Sequence, residues 1–252
     1  MRTMIDLTER FPMRFDLERM RKELQTLEDF KWIGHYDKAL ADGWTAIPLV
    51  SCNGTMDSEE SQRVGKCGEC KRTPVLNALP YFREILDAFQ CPHGRVRIMK
   101  MMPGTIIRPH RDILNEVACF AFGQVRLHLP IVTNDKVSFV VGSERLRLLP
   151  GRLYYVNFAK VHYVRNDGLE PRTHLVLDLQ VNDWLRRIFP PLTFVERLEN
   201  ILVRNALPIL WILLQARASS LQYFWTKYEG SALQKFRHKL RHSLAHSTNG
   251  RH

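Results

Sequence analysis

The chain has 252 residues, 45% of them hydrophobic and 25% charged, with a formal net charge of +11. This is enough length for one of the larger single domains, and too ordinary a composition for a collagenous or low-complexity protein. The longest apolar run, 201–214, contains Arg204, Asn205 and Pro208 and is too short to cross a bilayer as a helix.

The N-terminus carries Arg2, Asp6, Glu9 and Arg10 among its apolar residues. It lacks the continuous apolar core of a secretory signal. With five cysteines, an odd number, the expectation is a reducing compartment and a cytoplasmic protein.

Asp16 stands where a helix cap belongs, and Leu17, Met20, Leu24 and Leu27 follow at three- and four-residue spacing. This predicts an amphipathic helix over 16–30. Residues 44–50 read as a strand. The polar stretch 51–73 reads as a long loop or a substrate lid. A second helix is expected over 80–89, with Pro80 in its first turn.

Strands then come in close succession at 96–102, 106–112, 125–132, 137–141, 145–149, 153–158, 163–165 and 173–181. Turn signals separate them at Pro103-Gly104, Asn134-Asp135, Gly142-Ser143, Pro150-Gly151 and Asp167-Gly168. Eight short strands at this spacing predict a mainly β protein, a double-stranded β-helix (a cupin-like jelly roll) with the N-terminal helices on its outer face. The Asn166-Asp167-Gly168 turn further predicts a hairpin that makes His162 and Arg172 cross-strand neighbours.

After Asn182 the pattern turns helical, over 192–202 and 209–224 with a break near Pro208. The expected organisation is a jelly-roll domain over 1–190 and a helical, basic C-terminal extension over 191–252. Beyond residue 226, Lys227, Lys235, Arg237, Lys239, Arg241 and Arg251 face only Glu229, close to half of the whole net charge. Leu233, Phe236, Leu240 and Leu244 form a narrow apolar stripe there, so 231–246 could touch an anionic membrane or a polyanion peripherally. The remainder is only moderately basic, and no nucleic-acid partner is expected.

The chemistry concentrates between Arg108 and His174. His110 and Asp112 form a His-x-Asp pair, His162 follows a strand rich in aromatics, and Arg172 lies ten positions further on. Two imidazoles and one carboxylate can occupy one face of an octahedral metal and leave the other positions open, as in non-haem Fe(II) oxygenases. A guanidinium nearby suits a carboxylate-bearing cosubstrate, because its planar fork bonds a carboxylate through two N–H groups. Along 125–130 the period of two puts Arg126 and His128 on one face and Val125, Leu127 and Leu129 on the other. Polar groups aimed into a barrel need partners.

The stretch from about Gly43 to about Asn182 resembles the aspartyl/asparaginyl/prolyl hydroxylase branch of the Fe(II)- and 2-oxoglutarate-dependent oxygenases. The most specific matching parts are Arg108-Pro109-His110-Arg111-Asp112, Arg126-Leu127-His128-Leu129-Pro130-Ile131-Val132-Thr133-Asn134, Tyr155-Val156-Asn157-Phe158 and the spacing from His162 to Arg172. The resemblance implies that His110, Asp112 and His162 hold Fe(II) and that Arg172 takes the distal carboxylate of 2-oxoglutarate. It implies that Arg126 and His128 help hold that cosubstrate. It also implies hydroxylation of an unactivated C–H bond of an amino acid or amino-acid residue (aspartate, asparagine or proline), with O2 consumed and succinate and CO2 released. The partner is then a small molecule or a peptide.

Three other readings compete. A cupin-like barrel could hold a metal or ligand without redox turnover, although its usual signature is His-x-His followed by Glu. The basic tail could dock a lipid-borne or anionic substrate. Cys67 and Cys70 could bind zinc, but a structural zinc needs four ligands, and Cys91 with His93 make a poor second half. Arg95, Arg97 and Arg111 could read a substrate carboxylate or stand as solvated strand charges.

Overall fold

The computed structural model describes residues 2–34, 41–56, 69–112 and 123–198. The chain forms two compact units, Met1–Leu207 and Pro208–His252, and only the first contains described residues. Of the predicted helix over 192–202, residues 194–198 are helical and 199–202 lie outside the described residues, as do the predicted helix over 209–224, the contact stripe over 231–246 and Cys67 of the Cys67/Cys70 pair. Cys91 is a buried free thiol, and Cys52 is disulfide-bonded.

Along 125–131 and 175–179 every second residue is a fully buried aliphatic. A strand sends alternate side chains to opposite faces, so this pattern buries one whole face of the sheet. The strands that result are β1 (Met4–Asp6), β2 (Ile33–Gly34), β3 (Ala41–Cys52), β4 (Cys70–Arg72), β5 (His93–His110) and β6 (Gln124–Val132). They continue with β7 (Val137–Val141), β8 (Glu144–Leu146), β9 (Tyr154–Val156), β10 (His162–Asn166) and β11 (Arg172–Gln180). All their pairings among the described residues are antiparallel, in the order β1-β9-β6-β11-β5-β10-β7-β8, with β3 along β5 and β2 and β4 on β3. This is the double-stranded β-helix expected from the turn spacing.

Its organising element is β5. Two separate strands were expected there, divided at Pro103-Gly104, but the chain stays extended through that point, with Gly104 at φ +79° absorbing the bend. The first half of β5 pairs with β11 (Arg172 opposite Met101), and the second half pairs with β10 (His162 opposite His110). No hairpin joins His162 to Arg172. β10 and β11 run end to end in one direction along β5, and the loop 167–171 carries the chain from one half to the other. Buried Asn166 pins that loop: its Nδ2 donates to the Met101 and Glu170 carbonyls at 3.2 and 2.8 Å, and its Oδ1 accepts from Gly168 N at 3.2 Å. The turn signal was real; its residues carry the chain from β10 on to β11 along β5 rather than reversing it.

Three helices cover the outer face. α1 (Leu17–Gln25) is shorter than the predicted 16–30 and starts where Asp16 accepts from Arg19 N at 3.0 Å. α2 (Pro80–Asp87) begins at the proline, and α3 (Asp183–Ile188) is capped by Asn182. The carboxylate of Glu23 in α1 accepts from the backbone N–H groups of Tyr81 and Phe82, which ties α1 to the start of α2. Met20, Phe82, Ile85 and Leu185 from these helices join Val125, Leu127, Leu175 and Leu177 from the sheet in the larger core. A smaller cluster, including Trp44, Met101, Phe139, Val156, Phe158 and Val164, fills part of the barrel interior. The far end of the expected 51–73 loop is ordered as β4, which pairs with β3 through Val50–Arg72 and Cys52–Cys70. No helix among the described residues is long and apolar enough to cross a membrane.

Candidate metal centre

His110 ends β5, and the register between β5 and β10 slips between the pairs His162–His110 and Val164–Ile107. A bulge therefore falls at Arg108-Pro109, where a proline without an N–H is tolerated, and it re-aims the next side chain. The His110 and His162 rings then lie 4.2 Å apart between centroids. Asp112 is reached one bend later, its backbone N–H donating to the Phe158 carbonyl at 3.2 Å. His110, Asp112 and His162 each offer a ligand atom within 4.8 Å of the others. Asp112 Oδ1 is 3.4 Å from His110 Nε2 and 3.8 Å from His162 Nε2.

The far nitrogens of both rings fix their tautomers. His110 Nδ1–H donates to the Arg108 carbonyl at 2.7 Å and His162 Nδ1–H to the Lys160 carbonyl at 3.0 Å. A carbonyl only accepts, so Nδ1 carries the proton on each ring and the Nε2 lone pair faces inward. Burial, with His110 beside it, pushes the His162 pKa down to about 3, which keeps that imidazole neutral. Burial alone would raise the Asp112 pKa, but Arg126 and the neighbouring imidazoles hold its carboxyl far below the usual range. Two imidazoles and a carboxylate thus converge, and a divalent cation satisfies all three. Two nitrogens and one oxygen on one side are the donor set of facial Fe(II) sites.

Arg172 lies at the base of β11, 2% exposed. Its Nη2 donates to His174 Nδ1 at 3.0 Å, its guanidinium sits 5.4 Å over the Phe139 ring, and its Nε has no partner. No salt bridge joins it to a carboxylate among the described residues. Burial lowers its pKa to about 9, so it stays charged at neutral pH. Because Arg172 can only donate, His174 Nδ1 must accept, which puts the His174 proton on Nε2. His128 Nδ1–H in turn points at His174 Nδ1 from 3.3 Å. Burial and the Arg172 charge keep both imidazoles neutral, and neither Nε2 has a partner. Phe158 packs between the two groups, its ring 5.1 Å from His128 and 4.7 Å from His162.

Arg126 and His128 do share the inner face. Arg126 grips Asp178 through Nε (2.6 Å) and Nη2 (3.1 Å), and reaches Asp112 Oδ2 through Nη1 at 2.5 Å. Asp178 also takes Arg95 at 2.8 Å and Arg97 at 3.5 Å. Sequence reasoning missed Asp178. The signal was present, since period two along β11 puts Arg172, His174, Val176 and Asp178 on one face with polar groups at three of the four positions. Arg95 and Arg97 are buried ion-pair partners rather than solvated strand charges. Arg97 Nε and Arg111 Nη1 are buried without partners.

A double-stranded β-helix with two imidazoles and a carboxylate converging beside a buried, carboxylate-free guanidinium defines a class of metal-centred barrel. The chain belongs to the aspartyl/asparaginyl β-hydroxylase family, whose model matches residues 14–181. It is 26% identical over 187 residues to L-proline cis-4-hydroxylase of Rhizobium meliloti (strain 1021), covering 72% of this chain and 65% of that relative. Among solved structures, it is similar to an oxidoreductase of the 2OG-Fe(II) oxygenase family from Burkholderia pseudomallei (15% identity, TM-score 0.43, 65% of this chain and 77% of that one). A prolyl-4-hydroxylase from Pseudomonas putida is another such neighbour (11% identity, TM-score 0.43, 71% of this chain and 93% of that one).

Proposed function

We propose that this protein is an Fe(II)- and 2-oxoglutarate-dependent dioxygenase that hydroxylates an unactivated C–H bond of an amino acid or amino-acid residue. The observation that carries this reading is Arg172: a buried cation with no anion among the described residues, in the same interior as three converging metal donors. An uncompensated buried charge is costly. A dicarboxylate that chelates the metal at one end and meets Arg172 at the other removes that cost.

In this reading His110, Asp112 and His162 hold Fe(II), and Arg172 binds the distal carboxylate of 2-oxoglutarate. His174 and His128 are buried beside Arg172, each with an Nε2 that has no partner. Arg126 commits three of its five N–H donors to Asp178 and Asp112, which leaves two for the cosubstrate. Phe139 and Phe158 are buried beside these groups, and charged contacts in such apolar surroundings are stronger than in water. The iron and O2 supply the oxidising chemistry: 2-oxoglutarate is converted to succinate and CO2, taking up one oxygen atom, and the other enters the substrate C–H bond.

The relative named L-proline cis-4-hydroxylase favours a small free amino acid as substrate. The unpaired nitrogens of Arg97 and Arg111 are suited to its carboxylate. The test is substrate-stimulated succinate release, screened first over free L-amino acids with proline in the lead and then over short proline-, aspartate- and asparagine-containing peptides. Stimulation by at least one free amino acid is expected. If iron and 2-oxoglutarate bind and nothing in either set stimulates turnover, the substrate class is wrong.

A further inference from the structure

Unlike His110 and His162, which sit in β5 and β10, Asp112 lies beyond the end of β5, its backbone N–H donating to the Phe158 carbonyl. Its Oδ1 faces the imidazoles, and its Oδ2 is held by Arg126 Nη1. Arg126 in turn is fixed by a two-point fork onto Asp178, from Nε to Oδ1 and from Nη2 to Oδ2. Asp178 stands directly opposite Arg126 in the β6–β11 register, on rigid central strands. We infer that Asp178, acting through Arg126, is the positioning residue that sets the orientation of Asp112 and assigns one of its oxygens to the metal.

The geometry explains why the bridge must be an arginine held by a carboxylate. A guanidinium presents N–H groups in a planar fork, so one edge can lock to Asp178 while another N–H reaches Asp112; an ammonium, with its three donors on one nitrogen, lacks that two-point edge. The fork also occupies Oδ2 of Asp112, so that carboxylate meets the cation through Oδ1 alone. One-point attachment keeps a coordination position open. Arg95 and Arg97 crowd the other side of Asp178 and keep its carboxylate charged: burial pushes its pKa up, and the three guanidiniums hold it far below the usual range.

This inference rests on the proposed metal site, and its test reads metal binding by the full-length protein without turnover. Co(II) affinity, followed by visible absorption, is compared among wild type, Asp178→Asn, Arg126→Lys, the double variant and His110→Ala, with thermal melts alongside. Asparagine would turn an N–H donor toward Arg126 and break the fork. Each single variant is expected to bind Co(II) about 10- to 100-fold more weakly, the usual cost of losing a group that orients a ligand. Because both act through one contact, the double variant should be no more than about 2-fold weaker than the worse single one. Should Asp178→Asn fail to fold, Asp178→Glu keeps the charge the arginines need but displaces the fork, and it too is expected to lose at least about 10-fold. Wild-type affinity in a folded Asp178 or Arg126 variant, or losses that multiply in the double variant, would overturn the inference. If His110→Ala abolishes binding while Asp178→Asn leaves it intact, only the positioning role falls. A wild-type protein that binds no Co(II) removes the metal site itself, and the positioning role with it.

Discussion

From β6 and β11, Val125, Leu127, Leu129, Leu175 and Leu177 point outward onto the helices, and Arg126, His128, Arg172, His174 and Asp178 point inward. The same two strands therefore carry two unlike surfaces, one residue out of phase. On the outer face each buried aliphatic side chain contributes about 1.5–3 kcal/mol. The inner face runs the other way: a guanidinium with no carboxylate partner among the described residues, two neutral histidines with unpaired nitrogens and a five-charge network all resist burial. The fold is held by the outer face and tolerates the inner one, which is the pattern expected where binding rather than stability shapes a surface.

Mutations can break that contrast in order of effect. His110→Ala or His162→Ala should abolish metal binding and succinate release while leaving the thermal transition within a few degrees of wild type; a variant that still turns over would remove these histidines from the site. Arg172→Met should weaken 2-oxoglutarate binding by about 2–5 kcal/mol, read by anaerobic calorimetry on the iron-loaded protein. The same variant should unfold no earlier than wild type, because it removes a buried charge that lacks a counter-ion among the described residues. Leu177→Ala should do the reverse, losing about 2–5 kcal/mol of stability in urea with iron affinity unchanged. Equal losses of stability from Arg172→Met and Leu177→Ala would erase the distinction between the faces.

The smallest expected effect is in the pH dependence of stability. Burial and Arg172 depress the pKa values of His128 and His174 below their unfolded value of 6.5. The unfolded chain therefore binds more protons than the folded one once pH falls below 6.5, so their contribution to stability is present above that pH and lost as pH drops. The slope is about 1.4 kcal/mol per pH unit for each histidine. His128→Leu should reduce the slope of urea-unfolding free energy between pH 4 and 6 by roughly one histidine; an unchanged slope would mean that His128 is not buried neutral.

The inner face was partly legible in the sequence. His110, Asp112, His162 and Arg172 stood out because a short spacing and a chemical type coincided, and Arg126 with His128 because strand alternation is local. What could not be read was pairing between distant strands. Asn166-Asp167-Gly168 has the chemistry of a hairpin turn, yet the long edge of β5 offers hydrogen bonds to both β10 and β11, and the chain continues along it. Pro103-Gly104 signals a break, but a glycine at positive φ also lets an 18-residue strand bend while pairing on both sides. Asp178 has no local motif; its meaning comes from Arg126, Arg95 and Arg97 on two other strands. For the same reason Arg126, expected only as a cosubstrate contact, is found first as a tie between two carboxylates.

The most direct test is an anaerobic optical titration of the full-length protein with Fe(II) and then 2-oxoglutarate. A visible metal-to-ligand charge-transfer band should grow to one equivalent of each in the wild type, be absent in His162→Ala, and require more 2-oxoglutarate in Arg172→Met. Bound iron with no such band at saturating 2-oxoglutarate would contradict the account.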